Sequence, residues 1–539
     1  MDLSTRSSQP ARLAGSGRDR TSYRYSILVV IQKFSVFLAL LLAIVAPPHS
    51  GKEIKLVVVL CVDQMLPEYF NFSRFPYTAG LKRLYTEGFF YANADLNYAT
   101  TLTSPAHATL STGSYPKVSG ISDNNWMDRR TGNTIPSVDD PASNPVGGEQ
   151  AHISPKNLMV DGLGDWLKAK LPESKVVSVA GKNRSAVFMG GRRPHSAYWF
   201  NPVTHQMVTS SYYTRILPEW VKGFNSSGWS ERNIPSDWTA QNGSGFSHPL
   251  QSSQKNAQLA SPFHDLLILT FAIRAIRYES LGQSRFPDVL FVGLSATDHI
   301  GHTFGTESPE MRDHLLRLDV ALGNFLDMVE KLVGKNKFVI ALTSDHGALR
   351  EPVRRINFDQ SIRPLILELD RSLQLEWKLE KSLIQQLGTR GGFLEYSAAL
   401  SKGVNEATVE QRFRKGLRGI DGISDAYFRR ELTGPSLPNR PNFQQYQNSY
   451  YPPRDMDFQL RFCEDCLVFT GSLPWPTSHG SPYTYDTHIP LLFWGGPVPP
   501  GRADYPVYMV DVAPTLARIL NLSYPATVNG KPLPEVTGK

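Results

Sequence analysis

Residues 56–62 read LVVVLCV and run directly into Asp63. Two later segments repeat the pattern. Val289–Leu294 reads VLFVGL and is followed by Asp298; Phe338–Leu342 reads FVIAL and is followed by Asp345. Short, unbroken, β-rich apolar runs bounded by polar residues suit strands buried on both faces, as in a parallel sheet. Between the last two, Arg312–Val333 carries Leu315, Leu318, Leu322, Phe325, Leu326, Val329 and Leu332 on one helical stripe. Alternating strands and helices predict an α/β fold with a doubly wound, mostly parallel sheet flanked by helices. Such sheets bind ligands at the C-terminal edge of their strands, which is where the three aspartates emerge.

One aspartate after a strand is usually a turn or capping residue. Three, two of them beside histidines, ask for more. In DHIGH, Asp298 and His302 are spaced i, i+4 and share a face after one helical turn. Asp345 and His346 follow the third strand together. Carboxylates mixed with imidazoles suit zinc. Upstream, Thr103-Ser104-Pro105 precedes a stretch rich in Ala, Leu and Thr, with the proline near a first helical position. Thr103 then sits at a helix N-terminus, where free N–H groups favour an anion.

With this segment the chain resembles the alkaline phosphatase superfamily, in the branch joining type I phosphodiesterases/nucleotide pyrophosphatases with threonine-nucleophile bacterial alkaline phosphatases. The strings that carry the resemblance are VDQM at 62–65, T-x-P-x-H-A at 103–108, STG at 111–113, GISDNNW at 120–126, GKNR at 181–184, DHIGHTFG at 298–305, TSDHG at 343–347, SHGSPYTYDTHIPLLFWGG at 478–496 and VDVAPTLARIL at 510–520. It implies two zinc ions per chain: one held by Asp63, Asp345 and His346 beside Thr103, the other by Asp298, His302 and His479. It implies Thr103 as a nucleophile that forms a covalent phospho-threonine, and Asn124 as the amide reaching a non-bridging phosphate oxygen, with Asn125 as second choice. His488 reads as a structural or supporting residue, and His107 and His299 as structural.

Lys182 and Arg184 follow the strand-like Val176–Val179 at i, i+2, so an extended segment would point both to one face. The resemblance makes them the pair that binds a monoester dianion, whereas the diesterase branch replaces them with a pocket for a second ester group. The expected activity is therefore zinc-dependent hydrolysis of phosphate monoesters, with a phosphodiesterase or nucleotide pyrophosphatase on the same core as the alternative. A binding protein that merely retains the fold would show a broken ligand set, and this one is complete. Sulfatase relatives need Cys or Ser at the nucleophile and an Arg after the proline, and neither is present. Phosphoglycerate mutase relatives use Ser and lack an export signal. Ala106 stands where many relatives have Gly, which makes the turn after Thr103 a point of difference.

Length and charge fit one large core with insertions. The 539 residues carry 56 Lys+Arg and 49 Asp+Glu, a net charge of +7, with 19% charged and 41% hydrophobic residues. That balance excludes a disordered chain. Residues 1–46 hold five arginines and Lys33 against Asp2 and Asp19, leaving +3 for the rest and no call for a nucleic-acid partner. An apolar run, Phe34–Ala46, follows these charges and ends at Pro47-Pro48. It reads as a cleaved export signal, with cleavage near Ala46–Gly51; a retained anchor starting at Ser26 is the alternative. The domain reading is a signal or anchor over 1–50, a core over 51–350 with a loop excursion at 195–262 above the active-site mouth, a small α/β cap over 351–470, and the end of the core over 471–539. The enzyme is expected as a periplasmic or extracellular monomer acting on small phosphate monoesters, touching a membrane only through an uncleaved N-terminus. Cys463 and Cys466, in C-x-x-C, read as a local disulfide, since a zinc ribbon needs a second pair. Cys61 reads as a buried strand residue.

Overall fold

Strands apolar on both faces need cover on both faces, and the structure supplies it. The computed structural model describes residues 53–148, 151–241, 245–250, 257–471 and 475–537. The segment expected to be an export signal lies outside the described residues, among which no helix is long and apolar enough to cross a membrane. In chain order the central strands are β1 (Leu56–Val62), β2 (Phe89–Asp95), β3 (Pro145–Val146), β4 (Val176–Ala180), β5 (Ser196–Asn201), β6 (Gln206–Ser210), β7 (Asp288–Leu294), β8 (Phe338–Thr343), β9 (His488–Trp494), β10 (Gly501–Ala503) and β11 (Val507–Tyr508). They form one 11-stranded sheet in the order β10-β2-β9-β8-β1-β7-β4-β5-β6-β3, with β11 also on β2. The run from β8 to β5 is parallel. β9 reverses direction between β8 and β2, and β6 reverses at the other side.

The unbroken apolar reading of β1 has a simple origin. Leu56, Val58, Leu60 and Val62 enter one core, with Leu267 and Phe271 of α3 (Pro262–Tyr278) and Leu315, Leu322 and Leu326 of α5 (Pro309–Val333). Val57, Val59 and Cys61 enter the other, with Ala106 and Leu110 of α1 (Thr103–Thr112), Val187 and Phe188 of α2 (Asn183–Gly190), and Leu516 of α6 (Val512–Ile519). The alternating faces of the strand are both buried, so neither can be polar. α5 begins three residues before the expected Arg312, because Ser308 caps it by accepting from the Met311 N–H and Pro309 occupies its first turn. A further helix, α4 (Ala296–Phe304), follows β7 at once.

Residues 195–262 depart from the expected loop. They supply β5 and β6, two short helices and a small hairpin whose Trp238 indole donates to Asp313 of α5 at 2.8 Å. Aromatic residues that read as loop are therefore packing on the core. Within 351–470, an antiparallel sheet of Ile384–Gly388, Gly391–Leu394, Phe458–Phe462 and Ile423–Phe428 has its own apolar core with the helices Arg363–Trp377 and Glu406–Leu417. Cys463 and Cys466 are joined by a disulfide, and Cys61 is free and buried.

Candidate active site

Parallel register sets the site. Val62 lies opposite Leu294, and Cys61 opposite Thr343, so β1, β7 and β8 end at one level. Asp63 leaves β1 there, Asp345 and His346 leave β8, and Asp298 sits in the first turn of α4. The Asp63 N–H donates to the Leu294 carbonyl at 2.8 Å. The next residue, Gln64, is buried and held at φ +62°, a strained conformation for a non-glycine residue. That turn lets its N–H donate to Asp345 Oδ1 at 3.0 Å while its side-chain amide donates to Asp298 Oδ1 at 2.9 Å. A Cβ on Gly301 would lie 1.8 Å from Gln64 Oε1, so any larger residue there would push the Gln64 amide from its place on Asp298. Ser295 donates to Asp63 Oδ2 at 3.0 Å.

The three histidines are oriented alike. His302 Nδ1 lies 3.1 Å from the Thr477 carbonyl, His346 Nδ1 3.0 Å from that of Gly347, and His479 Nδ1 2.8 Å from that of Thr101. A carbonyl can only accept, so each Nδ1 carries the proton and each Nε2 is a free lone pair in the neutral ring. Those lone pairs face carboxylates: His302 Nε2 is 3.1 Å and His479 Nε2 3.6 Å from Asp298 Oδ1, and His346 Nε2 is 3.2 Å from Asp345 Oδ2. The His346 and His479 rings stack 3.4 Å apart. Asp63 Oδ1, Asp345 Oδ2 and His346 Nε2 are buried without hydrogen-bond partners. Acceptors turned toward acceptors are what a bound cation would relieve, and three carboxylates with three imidazoles suit zinc. Proximity alone does not respect the two predicted ligand sets. His346 comes within 4.8 Å of Asp298 and His479, while Asp63 groups with His107 and Cys61.

Charge in the site is strongly coupled. Burial would raise the Asp63 and Asp298 carboxyls, but the Lys182 ammonium, 2.9 Å and 2.6 Å away, joined by His107 at Asp63 and by His302 and His479 at Asp298, holds both below the usual range. Burial would lower His346, yet Asp345 pushes it up to about 9, so without a cation between them a proton on Nε2 bridges the pair, and a bound cation would displace it. Burial and then the neighbouring His346 pull His479 well down.

Thr103 opens α1 and is buried, with Leu102 as its cap. Ala106 continues the helix, so no special turn follows the threonine. Asn124 accepts from the Ser104 N–H at 2.8 Å, which leaves its amide N–H groups unused by that bond. Asn125 is exposed and begins a short strand. Lys182 and Arg184 are not in an extended segment. Lys182 caps α2 and Arg184 lies in its first turn, because the helix starts as soon as β4 ends. Both still face one cleft with Thr103, Asn124, Asp298, His302 and His479. His299 lines the same cleft. His107 is buried, its Nδ1 2.8 Å from the Thr103 carbonyl and its Nε2 3.4 Å from Asp63. His488 lies in β9, with Nε2 3.0 Å from the Ala92 carbonyl. Gln64, Ser295 and Thr101 escaped the sequence reading. Only Gln64 had a signal, its place inside VDQM.

A family model for type I phosphodiesterase / nucleotide pyrophosphatase matches residues 57–398. The chain belongs to this family. Alkaline phosphatase PhoV of Synechococcus elongatus is 31% identical to it, over 90% of this chain and 93% of that one. A protein named calcium-transporting ATPase, from Myroides odoratus, is 32% identical over 89% and 94%. Alkaline phosphatase PafA of Elizabethkingia meningoseptica is 30% identical over 90% and 95%. The crystal structure of PafA superposes with a TM-score of 0.81 at 28% identity, covering 91% of this chain and all of that one. A second PafA structure, with a TM-score of 0.80 at 27% identity over 90% and 100%, is of a variant substituted at one Thr, one Asn, one Lys and one Arg. The 11-stranded sheet is thus the alkaline phosphatase superfamily core, and this family member is a hydrolase of phosphoric esters.

Proposed function

We propose that this protein is an exported, zinc-dependent alkaline phosphatase that hydrolyses phosphate monoesters through a phospho-threonine at Thr103. The observation that carries the reading is the shared cleft. One buried threonine, an amide and three cationic side chains, Lys182, Arg184 and Arg390, line it together with Asp298, His302 and His479. In PafA the substituted Thr and Asn are 21 positions apart and the Lys and Arg two apart; Thr103 and Asn124, and Lys182 and Arg184, have the same spacings.

Asp63, Asp345 and His346 would hold one ion beside Thr103, and Asp298, His302 and His479 the other. Two bound zinc ions supply the positive charge that lowers the pKa of a nucleophilic hydroxyl and stabilises a leaving oxygen. Thr103 Oγ attacks phosphorus in line, the ester oxygen departs with its electron pair, and water then cleaves the Thr103 ester. Asn124, Lys182 and Arg184 donate to the non-bridging oxygens, where charge gathers in the transition state. A monoester dianion carries one more charge than a diester, and two cations match it. The test is hydrolysis of p-nitrophenyl phosphate against its bis-ester, with and without zinc. A large monoester preference supports the reading; a large diester preference selects a phosphodiesterase.

A further inference from the structure

We propose that Trp475 forms the leaving-group subsite of this cleft and makes the enzyme prefer monoesters with planar aromatic leaving groups. The inference rests on the monoesterase reading. Trp475 is 57% exposed, although an indole left in water forgoes a large apolar burial. It lines the cleft, and its ring lies 4.5 Å from that of His302. It is not needed to aim that imidazole, which the Thr477 carbonyl already orients. Its own backbone is held in place, because the Arg355 guanidinium donates to the Trp475 carbonyl at 2.6 Å and to that of Pro476 at 3.3 Å.

The direction of the chemistry explains the position. On the proposed two-ion arrangement, with Thr103 beside the Asp63, Asp345 and His346 set, in-line attack would send the ester oxygen away from Thr103 and toward the Asp298, His302 and His479 set. The organic part of the substrate then emerges beside whatever packs on His302. The apolar side chains of the cleft lining are Leu102, Trp475 and Pro476, of which Trp475 packs on His302; Asn124, Lys182, Arg184 and Arg390 supply its polar donors. A flat apolar wall at the exit for the leaving group selects aryl and nucleobase-bearing groups over short alkyl ones, because a π-face stacks on the indole.

The test is calorimetric binding of phenylphosphonate and methylphosphonate to the zinc-loaded wild type, W475A and W475F. The wild type should bind the phenyl compound about tenfold more tightly, and W475A should lose most of that preference with methylphosphonate affinity unchanged. W475F, which keeps a ring, should retain most of it. A wild type without the preference, a W475A preference equal to wild type, or equal weakening of both ligands overturns the subsite. Faster cleavage of the bis-ester than of the monoester by wild type would instead remove the monoesterase reading, while the phosphonate comparison still reports on Trp475.

Discussion

The Lys182 ammonium lies 2.6 Å from Asp298 Oδ2 and also reaches Asp63 Oδ2, so a side chain assigned to phosphate is found bridging two candidate metal-ligand carboxylates. It is buried, and those carboxylates raise its pKa against the opposing effect of burial. With the carboxylates engaged by metal, the same ammonium is placed to meet a phosphate oxygen. Lys182→Ala is therefore expected to lower kcat/KM for a monoester about 100-fold and for a diester far less. Its zinc content, read by atomic emission, should match wild type, because the substitution removes a competing cation and no ligand. Equal losses on both esters would remove Lys182 from monoester recognition.

Asp298 accepts from Gln64 and faces the Nε2 atoms of His302 and His479. Asp298→Asn should drop bound zinc from two ions toward one after dialysis, with activity lost at least 100-fold. Excess chelator should abolish wild-type activity and zinc should restore it. Full activity in a protein measured as metal-free would exclude the bimetallic site.

Gln64 touches no predicted substrate atom, yet it ties Asp298 to Asp345. Partners that orient metal ligands cost roughly 10–100-fold in metal affinity when removed. Gln64→Ala should weaken zinc binding in that range, measured by competition with a fluorescent chelator, and excess zinc should restore most of kcat.

Asp265 makes one contribution to the pH dependence of stability. It is buried beneath the start of α4, where it accepts from the Ala296 N–H, and its Oδ2 has no hydrogen bond, with His314 Nε2 3.8 Å away. Burial raises its carboxyl from the ordinary 3.8 to about 7. The native state thus holds this proton more tightly than the unfolded chain. The resulting stabilisation is complete below pH 3.8, is lost as pH rises toward 7, and stays lost above it, at up to about 1.4 kcal/mol per pH unit within that window. Asp265→Asn should raise Tm relative to wild type at pH 8 and make little difference near pH 4. Thermal unfolding monitored by circular dichroism at the two pH values checks it.

The sheet was legible because burial on both faces leaves no room for polar residues in β1, β7 and β8. The convergence of Asp63, Asp298 and Asp345 then followed from strand register. The local form around Lys182 and Arg184 was not legible, since a helix that starts immediately after a strand has no apolar stripe of its own to announce it. Residues 195–262 misled because their Trp and Tyr residues pack on the core without a regular period. Gln64 stood inside VDQM, but its part in joining Asp298 to Asp345 depends on a left-handed backbone turn, which that string does not reveal. The disulfide between Cys463 and Cys466 matched the reading of C-x-x-C without a second pair.

The central claim is that Thr103 Oγ is the atom that takes the phosphoryl group. Acid quenching during turnover of p-nitrophenyl phosphate, followed by peptide mass spectrometry, tests it most directly. The account predicts one phosphoryl group on Thr103, and an inactive Thr103→Ala variant carrying none. A phosphoryl group on Ser104 or Ser111 instead, or steady turnover by Thr103→Ala, would contradict it.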